Sequence, residues 1–284
     1  MTGLIIGAII ISFASIMVKL ADVPPDVVGF YRLLGGGFGL FVVLWRMGKL
    51  RSLTRSIWKW AIFSALFFAA DFFFWHRSIN YIGPGLATMM ANFQAVILAT
   101  VSIVFLKEPI HKLFVASMGL TIAGLYLMVG VDWSSFTPEF QLGIIFGLLT
   151  ACCYALYLLS LKYTLSKGGT EPLAVACAVA LLTGLYLGGL ALAEGESFVI
   201  PNLKSMAALT VLALGCHAGG WFFITRSIQQ VRTAMVGLIL LLQPTLSYVW
   251  DILFFDKPTT PVELVGVALA LVGIYLGSLK PEKS

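Results

Sequence analysis

The 284-residue sequence predicts an all-α integral membrane protein. Its ten transmembrane helices are expected to form two inverted five-helix repeats, with the N- and C-termini cytoplasmic. Three observations carry that expectation: an apolar composition, a regular recurrence of apolar runs long enough to cross a bilayer, and a second half that repeats the first. Apolar residues make up 60% of the chain and charged residues 11%, with a mean hydropathy of +0.97, whereas soluble domains carry roughly 25% charge. No water-soluble core absorbs so much apolar surface. The formal charge of +5 does not indicate nucleic acid. A nucleic-acid binder gathers its basic residues on one exposed face, and here they are scattered between apolar runs.

A hydrocarbon layer about 30 Å thick needs about 20 apolar residues per helix. Such runs fall at 2–20, 25–46, 57–78, 84–106, 112–131, 141–162, 171–192, 206–227, 233–255 and 261–279. Turn formers and charges separate them, as in Asp22-Val23-Pro24-Pro25, Lys107-Glu108-Pro109 and Asp256-Lys257-Pro258, and each reads as a helix end. No basic segment precedes the first run, which begins at Leu4, so that run is expected to stay as a span rather than be cleaved as a leader. Cys152, Cys153, Cys177 and Cys216 all fall inside predicted spans. They read as small packing residues rather than as a disulfide framework or a metal motif.

A cytoplasmic N-terminus places Arg46, Lys49, Arg51, Arg55, Lys59, Lys107, Lys112, Lys162, Lys167, Arg226, Arg232, Lys280 and Lys283 on the inner side, thirteen of the eighteen basic residues. Much of the acid, including Asp22, Asp26, Glu194 and Glu196, falls outside. That asymmetry follows the positive-inside rule and fixes the expected orientation.

The repeat emerges when the second half is laid over the first. A shift of 149 residues carries Arg77-Ser78-Ile79 onto Arg226-Ser227-Ile228, Phe73-Phe74 onto Phe222-Phe223, Gln94 onto Gln243, Pro109 onto Pro258 and Gly124 onto Gly273. Earlier in each half the shift is 140, pairing Gly3 and Gly7 with Gly143 and Gly147. The expected units are residues 1–132 and 141–284. Five helices per unit is an odd number, so equivalent helices run in opposite directions across the membrane. Inverted repeats of this kind are a recurring plan of secondary transporters, with the substrate site near the midplane.

Several motifs carry a resemblance across essentially the whole length. In the first half they are Phe30-Tyr31-Arg32, Ser78-Ile79-Asn80-Tyr81, Gly85-Leu86-Ala87 and Phe105-Leu106-Lys107-Glu108-Pro109. In the second they are Leu242-Gln243-Pro244 and Gly273-Ile274-Tyr275-Leu276-Gly277. In these the chain resembles the drug/metabolite transporter superfamily, specifically its ten-helix EamA-type exporters, including the aromatic amino acid exporter branch. Two positions depart from the family pattern. Ala95 stands where the fourth helix often has a proline, and Lys107-Glu108 and Asp256-Lys257 stand where Gly-Glu is usual.

Polar groups inside a bilayer are costly and usually face the bundle interior or a wet cavity. On that ground Trp75, His76, Asn92, Gln94, Tyr154, Tyr157, His217, Trp221 and Gln243 are the candidate substrate-binding residues. Trp75 follows Asp71 by four positions and Trp221 follows His217 by four, so each pair shares a helix face. Asp71, His217 and Asp251 are candidates for proton coupling, the histidine because it titrates near neutral pH and the aspartates because burial is expected to raise their pKa values. Arg32 is expected to anchor the second helix near the outer face, not to bind substrate. Glycines four apart (Gly3/Gly7, Gly143/Gly147, Gly184/Gly188, Gly273/Gly277) are expected to permit close helix packing.

The resemblance implies export of small amphipathic metabolites, with amino acids first, across the cell inner membrane. Carriers of cationic drugs, nucleosides or nucleotide sugars are the alternative within transporters, and a membrane enzyme or scaffold the alternative outside them. No Gly-x-x-x-x-Gly-Lys-Ser/Thr segment is present, and His76, His111 and His217 form no close ligand pair. No cofactor, metal or catalytic residue is therefore expected. The expected partners are a small-molecule substrate and the lipid bilayer, with no nucleic acid and a monomer or weak homodimer.

Overall fold

The computed structural model describes residues 1–107, 111–129, 137–166, 170–255 and 259–278. Among them all regular structure is helical. The elements are α1 (Thr2–Ser12), α2 (Ala14–Ala21), α3 (Pro25–Arg46), α4 (Arg55–Ala91), α5 (Gln94–Val104), α6 (Lys112–Val129), α7 (Pro138–Ser166), α8 (Pro172–Ala193), α9 (Leu203–Thr210), α10 (Gly220–Ile228), α11 (Thr233–Leu240), α12 (Leu242–Phe255) and α13 (Pro261–Ser278). A π-helical stretch, Val211–Gly219, joins α9 to α10. Six helical segments are long and apolar enough to cross a membrane, and four shorter apolar ones accompany them. Glu108-Pro109, Asp256-Lys257-Pro258 and Lys167 to Gly169 lie outside the described residues, as do the side chains of Ser15, Lys19, Gly85, Leu86 and Asp251.

Local sequence sets the helix ends. Pro25 and Pro172 occupy the first turn of α3 and α8, where the missing N–H has no intrahelical partner to lose. Asn202 caps α9 by accepting from the Ser205 N–H at 2.8 Å. Thr260 and Glu263 form a reciprocal cap at the start of α13: the Thr260 N–H donates to Glu263 Oε2 at 2.6 Å and the Glu263 N–H to Thr260 Oγ1 at 3.3 Å.

Four expected spans are irregular. The first breaks at Phe13, between α1 and α2. The fourth breaks at Asn92 and Phe93, where the Asn92 Nδ2 donates to the Thr88 carbonyl at 2.7 Å and the Phe93 N–H turns to the Met90 carbonyl. The ninth breaks at Leu241, because Pro244 has no N–H for the Leu240 carbonyl and its ring crowds that position. In the eighth, the π-helical stretch replaces α-helix. The expected third and fourth spans are also joined, since helical backbone runs unbroken from Arg55 to Ala91.

The helices pack in facing pairs: α4 along α7, α3 along α8, α6 along α13, α1 along α10 and α5 along α11. One large apolar core joins α1, α3, α4, α7, α8, α10 and α11, and a smaller one lies between α5, α6, α11 and α13. Large apolar side chains also cover the outside, among them Phe38, Trp45, Leu185 and Leu192, a surface suited to lipid rather than water.

The tightest crossing is between α6 and α13. A Cβ at Gly124 would stand 2.5 Å from the Gly266 carbonyl oxygen, and one at Gly273 would stand 2.8 Å from that of Ser117. Both obstacles are backbone, which has no rotamer with which to yield. We expect Gly124→Leu to lower the thermal midpoint of the detergent-purified protein by the cost of overpacking, about 1–3 kcal/mol or more. Gly119→Leu on the same helix, where nothing lies within 4 Å, should leave it unchanged. Equal midpoints for the two variants would contradict the close crossing.

Candidate functional site

Inside the bundle lies a cavity of about 220 Å³. Its wall is assembled from α1 (Ile11), α2 (Ala14 and Val18), α3 (Arg32), α4 (Phe68, Asp71, Phe72, Trp75, Thr88 and Ala91), the break after α4 (Asn92), α7 (Thr150 and Tyr154), α10 (Trp221) and α12 (Gln243, Pro244 and Ser247). The irregular points of the helices border it. The break at Phe13 frees carbonyls at the end of α1, and Ser247 Oγ donates to that of Ser12 at 2.9 Å. Trp250 fixes the same corner: its Nε1 donates to Ser12 Oγ at 2.7 Å and its ring stacks on Phe13 at 4.4 Å. The π-helical stretch delivers Trp221 to the wall. Such insertions re-aim side chains and are frequent at functional sites.

Phe68 is the hub of the apolar wall. Its ring stacks on Tyr157 at 4.0 Å, meets Trp221 edge-on at 5.2 Å and touches Phe72 at 5.1 Å. Tyr157 meets Trp221 at 5.2 Å. Rings from α4, α7 and α10 thus form one rigid aromatic surface, built for flat or apolar groups.

Six of the candidate residues face this space: Asp71, Trp75, Asn92, Tyr154, Trp221 and Gln243. The others stand elsewhere. Tyr157 and His217 are 2% exposed and lie behind the wall, His217 packed against Gly36. Gln94 is 1% exposed, on the far side of the break at Phe93 from Asn92. His76 turns away to Asp26, with Nδ1 and Oδ1 2.9 Å apart. The Asp251 side chain lies outside the described residues. The expectation for Arg32 is corrected: it is 8% exposed and on the cavity wall, not an anchor at the helix rim. Sequence reasoning also missed Phe68, Phe72 and Ser247.

Most hydroxyls in the bundle are satisfied within their own helix. Thr121, Thr150, Thr164, Thr183 and Thr245 each donate to the carbonyl four residues back. By contrast, several buried polar atoms of the described residues have no partner on or beside the cavity: Arg32 Nε and Trp221 Nε1 on its wall, with His217 Nδ1 and Thr225 Oγ1 one turn either side of Trp221; Gln94 Oε1 and Glu196 Oε2 are unbonded elsewhere. A polar atom left unpaired in a low-dielectric interior is expensive, so the group at the cavity marks the place where a ligand can repay it.

One end of the bundle is tied by charge. Asp26, 2% exposed at the start of α3, pairs with His76, and Arg77 NH1 lies 4.0 Å from its other oxygen. Arg77 also pairs with Glu194 and rests over the Phe73 ring. Asp26, Glu194 and Glu196 bring carboxylate oxygens within 4.8 Å of one another, and Arg77 supplies the opposing charge beside them. At the other end Lys49 pairs with Glu171 at 2.8 Å, and Lys162 Nζ donates to the Val231 carbonyl and to Thr233 Oγ1.

Burial and then the Asp26 carboxylate raise the Glu196 carboxyl above its ordinary value, opposed by the Val27 N–H and Arg77. A group with a raised folded pKa contributes stability at low pH that is lost as pH rises through that pKa. We therefore expect Glu196→Gln to raise the thermal midpoint at pH 7 and above while changing it little at pH 4, where the carboxyl is largely protonated. An equal shift at both pH values would contradict the assignment.

The sequence pattern of the EamA-like transporter family matches residues 1–130 and 141–279. The chain is 24% identical over 270 residues to the uncharacterized transporter YvbV of Bacillus subtilis (strain 168), spanning 93% of this chain and 85% of that one. It is 22% identical over 271 residues to the uncharacterized transporter YwfM of the same organism, spanning 91% and 86%. A solved protein crystal structure superposes with a TM-score of 0.83 at 18% identity, covering 97% of this chain and 96% of that one. The likeness at that identity is one of fold.

Proposed function

The chain belongs to the EamA-like transporter family, and from that membership we propose that it is a secondary transporter exporting small amphipathic metabolites, amino acids and aromatic ones among them, across the inner membrane by alternating access. The observation that carries the substrate reading is the cavity: an aromatic wall around Phe68, with unpaired polar atoms collected beside it. Its volume of about 220 Å³ is below the roughly 300–1,000 Å³ of drug-sized sites and favours a solute smaller than a nucleotide. Trp75, Trp221 and Tyr154 would hold the apolar part of the solute and Asn92 and Gln243 its polar part. Asp71 is the proposed proton-coupling group, with His217 and Asp251 in the same role and His76, Gln94 and Tyr157 as supports to the wall.

The architecture that would move it is ten spans in two inverted units, residues 1–132 and 141–284, with both termini cytoplasmic. In this reading the six long and four shorter apolar helices of the described residues would each be a crossing, with α1 and α2 one interrupted span and α11 and α12 another. Packing favours the inverted relation. The α1–α10 pair corresponds to the α7–α4 pair under the repeat, and both are close. Gly3 abuts Ser227 Oγ, and at the equivalent place Ser78 Oγ donates to the Gly143 carbonyl at 2.8 Å. The breaks in the fourth and ninth spans, before Gln94 and Gln243, also correspond. Two halves that pack alike can exchange arrangements and expose one site to either side in turn.

The test is uptake into proteoliposomes of labelled amino acids, nucleosides and organic cations, with and without a proton gradient. We expect saturable amino-acid flux that Trp221→Ala lowers about tenfold, equivalent to losing about 1.4 kcal/mol of contact, and that Trp45→Ala on the exposed surface leaves intact. Flux of cations or nucleosides but not amino acids would overturn the substrate class. No flux of any solute through folded, inserted protein would overturn the transporter reading.

A further inference from the structure

Among the described residues, Arg32 on α3 and Asp71 on α4 are the charged side chains on the cavity wall. Neither has an ion-pair partner within 4.0 Å among the described residues, so the two act on each other electrostatically without direct contact. The ion pairs that do form, Lys49–Glu171 and the Asp26–His76–Arg77–Glu194 cluster, lie at the ends of the bundle. Arg32 Nε is buried and unbonded, and the guanidinium is held by the Phe72 ring, 5.5 Å from its centroid. An ionisable residue kept inside a membrane bundle without a structural partner is a functional candidate by default.

The chemistry of the unpaired atoms is one-sided. Arg32 Nε and Trp221 Nε1 are N–H groups without an acceptor, reaching the cavity from α3 and α10, and the Gln243 amide joins them from α12 beside the Tyr154 hydroxyl with which it interacts. Two unmet donors, one of them on a planar guanidinium fork suited to two parallel bonds, with an amide beside them, call for an anionic oxygen pair such as a carboxylate. Asp71 offers the opposite: a carboxylate with no donor, on the neighbouring helix. A ligand carrying only one charge would engage one of these groups and leave the other buried with no direct partner, which is costly.

We propose that the cavity is a zwitterion clamp: Arg32, helped by the Trp221 and Gln243 donors, takes a carboxylate, Asp71 takes an ammonium group, and the aromatic surface around Phe68 receives an apolar side chain. The clamp rests on the reading that this cavity is the substrate site, and it specifies how that site recognises charge. It assigns Arg32 a binding role and predicts rejection of the decarboxylated amine and the deaminated acid of any amino acid that binds.

The test is isothermal titration calorimetry on full-length purified protein with two matched sets of probes: phenylalanine, phenethylamine and 3-phenylpropionate, and leucine, isoamylamine and 4-methylpentanoate. In at least one set the amino acid should bind at least tenfold more tightly than either single-charge analogue. Arg32→Gln should then reduce amino-acid affinity to that of the amine without weakening the amine, and Arg32→Lys should recover part of the loss. Asp71→Asn should reduce amino-acid affinity to that of the acid without weakening the acid. If Arg32→Gln does not fold, Arg32→Lys and Asp71→Asn carry the test. Equal binding of all three probes in a set, uniform weakening by each variant, or no binding of either amino acid would overturn the clamp. Parallel flux assays separate the two ideas: charge-selective binding without flux would remove the transporter reading and keep the clamp, whereas flux indifferent to these charges would do the reverse.

Discussion

A hydrocarbon layer offers no partner to a polar group, and this structure is arranged around that constraint. Along most of the bundle the chain meets it locally. Threonine hydroxyls donate to carbonyls one turn back, as at Thr121, Thr164 and Thr245, and Ser64 and Ser160 meet across α4 and α7 at 2.9 Å. Close contact between backbones, as at Gly124 and Gly273, supplies the packing that hydrophobic burial cannot supply within lipid. Against that background, the failure to satisfy Arg32 Nε and Trp221 Nε1 at one cavity is informative, because it leaves an unmet polar demand where the helices leave room for a solute.

The helix irregularities belong to the same arrangement. Breaks at Phe13, Phe93 and Leu241 and the π-helical stretch before Trp221 all border the cavity or the corner that closes it. Regular helices would keep their backbone groups to themselves. Interrupted ones release carbonyls, such as that of Ser12, which Ser247 then captures across the bundle. Transport proteins tolerate broken helices where the freed backbone is buried against protein or lines a cavity.

Six of the expected spans were legible as long apolar helices among the described residues, because about 20 apolar residues between charged or turn-forming segments have few other uses. The breaks were not. Only Pro244 announces one in sequence, while Phe13 and Phe93 sit in apolar runs whose composition favours helix. In the site, Asp71, Trp75, Asn92, Tyr154, Trp221 and Gln243 could be found because polar and aromatic residues are conspicuous inside spans. His76 could not be placed from its own helix, since its position depends on Asp26, fifty residues earlier in the chain. Phe68 was hidden within a phenylalanine-rich stretch that has no periodicity to single it out. Arg32 was misassigned for a physical reason: seven residues into α3 it is near enough to the end to suggest a side chain reaching for the rim, and only the packing of α3 against α4 and α8 turns it inward.

The central claim, that solute passes through this cavity, is tested most directly by blocking it. In a background with the four native cysteines replaced, Ser247→Cys would be modified with a small thiol reagent in proteoliposomes, with and without a transported solute present. The account predicts that modification stops flux and that the solute slows the modification. Complete modification with undiminished flux would show that the path lies elsewhere.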